Sequence, residues 1–524
     1  MKKLYTIGTL LLFLLAVQPA RAKVMLASPF TSHMVLQSDM KVPVWGVAEA
    51  GEVVTVTFAG QKESATADAD GHWRLDLQPM KVSAESRTFT VTGSKTAQPI
   101  VLEDVLVGEV WLASGQSNMD FSLSKKVKYF AGVTNEEQEI AAANYPLIRM
   151  FIGTSVRTNV PQTRVGGEWQ VCTPQTAPAF CAVGYFFARD LQREIKAPIG
   201  IVALAFGAST AEAWISREAL AADAQLKPTL DRFDAAVDQF RTNPPPVVAA
   251  PRSEDVSATN ATAGRRHRNG GPHNPVQDQH NATVLFNGMI QPVIPFAMRG
   301  ALWYQGESIV GNKAGVLLYP HVMETLVKDW RSLWGEGDFP FYAVQLPALQ
   351  NVSNNPMIRE GQAQLTSLPN TAVAVTIDIG DPKDVHPHNK EPLGDRLTRL
   401  AMANTYGKAI EYSGPIYQSM KIEKATIRLA FTHPGGGLVA KDGPLKWFRI
   451  AGVDQKFVDA TARIEGDTVI VSSPEVGAPV AVRYAWDNYP EGCNLYNAAG
   501  LPAAPFRTDR WDALTAIATE FTGK

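Results

Sequence analysis

Ser117 lies in the run Gly115-Gln116-Ser117-Asn118-Met119, directly after an apolar stretch that reads as a buried strand ending near Ala113. A serine between glycine and small polar residues at a strand-to-helix turn can present its hydroxyl and its own backbone amide to a substrate. That is equipment for nucleophilic acyl transfer. The same serine would serve equally well as an ordinary helix N-cap, and one G-x-S does not separate the two. A serine nucleophile needs a base that titrates near neutrality, and a histidine held by a carboxylate supplies one. Of the nine histidines, only His386 and His388 lie just past a buried strand with acidic residues, Asp378, Asp381 and Asp384, beside them, so the base is one of these two. Two further strand ends have suitable chemistry. Gly207, in Phe206-Gly207-Ala208-Ser209-Thr210, lets backbone amides approach a developing oxyanion, or simply makes a tight turn. In Trp303-Tyr304-Gln305-Gly306-Glu307-Ser308, Gln305 can donate a hydrogen bond and Glu307 can orient its neighbours, although a capped helix start with core aromatics would use the same residues. His-x-His beside carboxylates also suits a metal, but no third ligand cluster is spaced to complete a site, so no metal is expected.

All four places share one address, the carboxyl end of a strand in an α/β sheet, where ligands collect in such folds. The sequence supports that sheet. From 105 to 408, apolar runs such as VLVGEVWLAS, IGIVALAFG, GALWYQG, FYAVQL and TAVAVTIDIG alternate with amphipathic stretches such as VGYFFARDLQREI and VMETLVKDWRSLW, the pattern of buried strands with helices on both faces. From 23 to 104 short alternating strands with turn signals predict a β-sandwich-like domain, and a second β domain is expected over 409–524. A proline-, asparagine- and glycine-rich stretch at about 243–281, with Arg265, Arg266, His267 and Arg268, reads as a surface insertion in the central domain. Residues 1–22 have the layout of a secretory signal peptide: Lys2 and Lys3, an apolar run, then Ala20-Arg21-Ala22. Cleavage after Ala22 and an exported product, periplasmic or secreted, are expected, with no stable membrane insertion. Three cysteines, Cys172, Cys181 and Cys493, exclude a disulfide framework and are expected as buried thiols. Length alone, 524 residues, suggests three to four domains at roughly 150 residues each. A net charge of -2 leaves no field to recruit nucleic acid, so a small or neutral partner is expected.

Taken together, GQSNM, the 206–214 stretch FGASTAEAW, WYQGES and DVHPHNKEPLGDRL resemble the sialate O-acetylesterase family within the SGNH hydrolase superfamily. HMVLQSDMKVPVWG near the start, LFNGMIQPVIPFAMRGALWYQGES at 285–308 and the motifs Leu495-Tyr496-Asn497, Gly500-Leu501-Pro502-Ala503 and Pro505-Phe506-Arg507-Thr508 extend the resemblance over nearly the whole mature chain. It implies a central SGNH-type three-layer α/β/α hydrolase domain between the two β domains and a serine esterase that removes O-acetyl groups from carbohydrates, through an acetyl-enzyme and without a cofactor. It implies Ser117 as nucleophile and His386 as general base, since Asp384-Val385-His386-Pro387 matches the family's Asp-x-His-Pro, with His388 behind it. Asp384 becomes the orienting acid, with Asp378 and Asp381 close by. The oxyanion hole draws on the Ser117 amide, the backbone at Gly207 and the Gln305 side chain. Gln116, Asn118, Glu307 and Glu212 become supporting residues. Where relatives often have two successive glycines, this chain has Gly207-Ala208. The sugar is either an acetylated sialic acid or a hemicellulose such as xylan or xyloglucan, and the oligomeric state is left open. Two other functions compete: a noncatalytic glycan-binding protein on a hydrolase scaffold, which the serine, histidine and oxyanion set opposes, and a glycosidase built on paired carboxylates, which leaves Ser117 without a role.

Overall fold

The computed structural model describes residues 23–243 and 274–511. The expected signal peptide and the basic patch at Arg265, Arg266, His267 and Arg268 lie outside the described residues. One strand organises the amino-terminal two thirds of the chain. Ile100–Gly115 runs unbroken through the expected boundary at 104/105. Its first half pairs antiparallel with Ser83–Gly93 and parallel with Val35–Gln37, and its second half lies between Ile199–Ala205 and Gly300–Tyr304, parallel to both. The parallel part of this sheet runs Tyr145–Gly153, Ile199–Ala205, Ile100–Gly115, Gly300–Tyr304, Phe341–Val344 and Thr371–Ala374, with Gly167–Cys172 antiparallel at one edge.

The burial patterns explain why these segments are strands of different kinds. Gly300–Tyr304 and Phe341–Val344 are buried at every position, as a strand covered on both faces must be. Val53–Phe58 and Thr426–Thr432 alternate between buried and more accessible positions, the mark of sheets with one face toward the core. Helix Ala182–Ile195 covers one face of the parallel sheet, where the Phe187 ring lies 5.1 Å from Trp111. Helix Lys313–Trp334 covers the other, where the Trp330 ring lies 5.7 Å from Trp303. The amphipathic stretch quoted from the sequence starts at Val322; the helix begins at Lys313 and carries Pro320 inside it. The carboxyl-terminal part forms four-, two- and four-stranded antiparallel sheets around a second core that includes Ile427, Phe448, Tyr484 and Phe506.

Arg359 joins the two cores. It is 1% exposed and donates to the carbonyls of Leu346 and Pro347 beyond the central strand Phe341–Val344, and to those of Asp487 and Asn488 in the carboxyl-terminal part, at 2.7–3.0 Å. Replacing it takes the donor from the Leu346, Pro347 and Asp487 carbonyls, while Asn488 keeps the Leu349 N–H, and each lost bond costs on the order of 1 kcal/mol. Arg359→Met is therefore expected to lower unfolding stability by about 3 kcal/mol, measured by urea denaturation; a midpoint equal to wild type contradicts this linking role.

Candidate active site

Gly115 ends the long strand with φ +139°, and a Cβ there would stand 2.2 Å from the Tyr304 carbonyl, so only glycine lets the chain leave the sheet so close to its neighbour. Gln116 N–H then donates to the same carbonyl at 2.9 Å, and Ser117 emerges at the carboxyl edge. Its Oγ lies 2.9 Å from His386 Nε2. That nitrogen is placed to accept the hydroxyl proton, leaving Nδ1 toward Asp384 Oδ1, 3.5 Å away. This second contact is longer than a good hydrogen bond, whereas Asp384 Oδ1 also accepts the His386 backbone N–H at 2.8 Å and so fixes the turn carrying the ring. Burial pulls the His386 pKa below its ordinary 6.5; Asp384 opposes this, while Lys390 and His388 add to it.

The three acidic residues differ in what they touch. Asp378 is occupied by a two-pronged ion pair with Arg396, at 2.7 Å on each oxygen, and by the Tyr496 hydroxyl at 3.0 Å. Asp381 Oδ1 accepts the backbone N–H groups of Lys383 and Asp384 at 2.7 and 3.0 Å, closing a turn. Only Asp384 reaches both imidazoles, its other oxygen being 3.4 Å from His388 Nε2. His388 Nδ1 turns away to donate to the Gly132 carbonyl.

Beside Ser117, a Cβ built on Gly207 would stand 3.6 Å from Ser117 Cβ, so the two backbones are neighbours. Among the described residues, neither the Ser117 nor the Gly207 N–H donates to a protein acceptor. The left-handed position of this loop falls on Ala208, with φ 55°, where a second glycine would be less strained. Gln305 is 0% exposed, and its amide nitrogen donates to the Ser209 carbonyl at 3.0 Å, which ties it to the loop bearing Gly207. Tyr319 Oη and Gln362 Nε2 donate in turn to the Gln305 carbonyl at 2.9 and 3.0 Å. Glu212 is also enclosed, and burial raises its pKa.

Gln116 Oε1 accepts from the backbone of Gly306 at 3.2 Å and from the Ser308 hydroxyl at 3.3 Å, tying the serine turn to the 305–308 loop. Asn118 ties it to the histidine loop. Its Nδ2 donates to Glu307 Oε1 at 2.5 Å and to the Val385 carbonyl at 2.9 Å, and its Oδ1 accepts from Lys390 Nζ at 2.5 Å. Around the rim, the Phe130 ring packs 4.8 Å from His386, and the 95% exposed Tyr129 stands edge-on to Phe130 at 5.6 Å. The Arg157 guanidinium lies 5.0 Å from the ring centroid of Phe206, the residue before Gly207, and its Nη1 donates to the Gln277 carbonyl at 2.6 Å. Cys172, Cys181 and Cys493 are buried free thiols. Among the described residues, no group of three histidine, cysteine or acidic side chains converges to hold a metal, and no helix is long and apolar enough to cross a membrane.

Residues 276–403 match the family model for a carbohydrate esterase, the sialic acid-specific acetylesterase. Sialate O-acetylesterases from Mus musculus and Homo sapiens are 28% and 27% identical, across 92% of this chain and 93% and 91% of theirs. The crystal structure of a carbohydrate acetylesterase from Xanthomonas citri is 34% identical, covers 93% of this chain and 100% of its own, and superposes with a TM-score of 0.78. The chain belongs to the sialate O-acetylesterase family.

In this carbohydrate O-acetylesterase the sequence reading reached Ser117, His386, Asp384, Gly207 and Asn118, which the fold brings to one edge. It missed Lys390, Phe130 and Arg157. Lys390 had a usable signal: it is the N-cap residue of helix Glu391–Asn404, and a cation at the positive end of a helix is electrostatically misplaced unless something else requires it. Phe130 and Arg157 come from loops far away in sequence and carry no motif. Because Asp384 favours the charged imidazole, Asp384→Asn is expected to move the His386 titration to still lower pH in ring NMR spectra. An unchanged or raised value would separate Asp384 from His386.

Proposed function

We propose that this acetylesterase works through an acetyl-enzyme on Ser117, in a central SGNH-type α/β/α hydrolase domain over 105–408 flanked by β domains at 23–104 and 409–524, and that the chain is exported after cleavage at Ala22. The observation that carries the mechanism is the 2.9 Å contact between Ser117 Oγ and His386 Nε2 beside two unoccupied backbone donors. As Ser117 Oγ attacks the acetyl carbonyl, its proton passes to His386 Nε2, and Asp384 stabilises the imidazolium that forms. The carbonyl oxygen gains charge against the Ser117 and Gly207 N–H groups. The imidazolium then protonates the departing sugar oxygen. Water, deprotonated by the same nitrogen, hydrolyses the acetyl-enzyme and releases acetate.

The rim supports a sugar on the leaving side. Tyr129 offers an exposed aromatic face within two ring contacts of His386, suited to the apolar face of a pyranose. Arg157 Nη1 is engaged by the Gln277 carbonyl at 2.6 Å and Gln279 Oε1 at 3.2 Å, and the cation that this places beside Phe206 suits a carboxylate-bearing sugar such as acetylated sialic acid better than neutral xylan or xyloglucan. The sialate O-acetylesterase names of the relatives agree with that choice.

Acetate release from acetylated sialosides, xylan and xyloglucan oligosaccharides, with Ser117→Ala as the blank, tests this reading. Ser117→Ala is expected to lose at least about 10³-fold in kcat, and substantial residual hydrolysis removes Ser117 as nucleophile. Tyr129→Ala is expected to raise KM several-fold for the acetylated oligosaccharide while leaving a nitrophenyl acetate unchanged. Equal effects on both substrates remove Tyr129 from sugar binding.

A further inference from the structure

We propose that Lys390 is a positioning residue of this site: its buried ammonium orients the Asn118 amide that locks the serine turn to the histidine loop. The proposal rests on the assignment of Ser117 and His386 made above.

Lys390 is 2% exposed, and its Nζ lies on Asn118 Oδ1, 4.7 Å from the Phe121 ring centroid and 5.2 Å from that of Tyr304. The ammonium on one side and the Glu307 carboxylate on the other decide which way the Asn118 amide points, since oxygen must face the donor and nitrogen the acceptor. The second N–H of that amide then falls on the Val385 carbonyl, one residue before His386. Ser117 precedes Asn118, and His386 follows Val385. Three hydrogen bonds of a single amide thus set the distance between nucleophile and base.

A buried cation is costly, and a hydrophobic residue of similar volume would pack among these rings at less expense. Burial pushes the Lys390 ammonium down to about 7, opposed by Glu307, Asp384 and Cys181, while burial pushes the Glu307 carboxyl up. Those are the ionisable groups facing Lys390 from the 305–308 loop, the histidine loop and the start of helix Ala182–Ile195. Toward His386, the facing groups are Asp384, which favours its charged form, and Lys390 and His388, which disfavour it. Removing the Lys390 charge therefore raises the His386 pKa, and the acid limb of activity must move to higher pH.

The experiment is the pH profile of kcat/KM for nitrophenyl acetate in wild type, Ser117→Ala, Lys390→Met and the double variant Lys390→Met/Glu307→Gln, which removes both buried charges so that neither is left alone. The expected result is a fall in kcat of about tenfold or more, with the acid limb displaced upward by at least about half a pH unit, in both Lys390 variants. Folded variants with kcat within twofold of wild type and an unmoved acid limb overturn the proposal. So does failure of both variants to fold, which would assign Lys390 to stability. Wild-type hydrolysis that survives Ser117→Ala instead overturns the nucleophile assignment on which the proposal rests.

Discussion

The Asn118 side-chain amide is the interaction on which the site depends. It fastens a turn at the end of the strand Ile100–Gly115 to a loop 267 residues later in the chain, at Val385. Without that fastening, the Ser117–His386 contact would have only packing to support it, and acyl transfer is sensitive to displacements of about 1 Å. The amide is held by opposite charges at its two ends, Lys390 and Glu307, both enclosed and both pushed by burial toward their neutral forms. Charge buried in this way is poor stabilising material; its effect is to select one geometry.

Much of the architecture was legible because burial pattern is written in sequence. Val53–Phe58 and Thr426–Thr432 alternate, Gly300–Tyr304 is wholly apolar in its surroundings, and Ala182–Ile195 shows helical periodicity, so each could be assigned from local pattern. Continuity was less legible. Ile100–Gly115 changes from an alternating pattern with Glu103 and Asp104 to a continuously buried run, which reads as a boundary between two elements, whereas the backbone pairs without a break through an antiparallel layer and then a parallel sheet.

At the site, motif residues were readable and their division of labour was not. Asp378, Asp381 and Asp384 are equivalent on paper. Arg396 and Tyr496 occupy the first and backbone N–H groups the second, leaving only the third to face an imidazole. Gln305 has the right chemistry for an oxyanion donor, and its bond to the Ser209 carbonyl, which no local pattern announces, ties it to the loop bearing Gly207. Lys390 stands within the quoted histidine motif and at a helix N-terminus, but its partners Asn118, Phe121 and Tyr304 are distant in sequence, so only the fold shows what it touches.

The most direct measurement is rapid-quench mass spectrometry of the acetylated protein during the first turnover, on wild type and Asn118→Ala. The account predicts acetate covalently attached at Ser117 in both, forming about 10²-fold more slowly in Asn118→Ala. Acetyl on a different residue, or formation on Ser117 at the wild-type rate without the Asn118 amide, would contradict it.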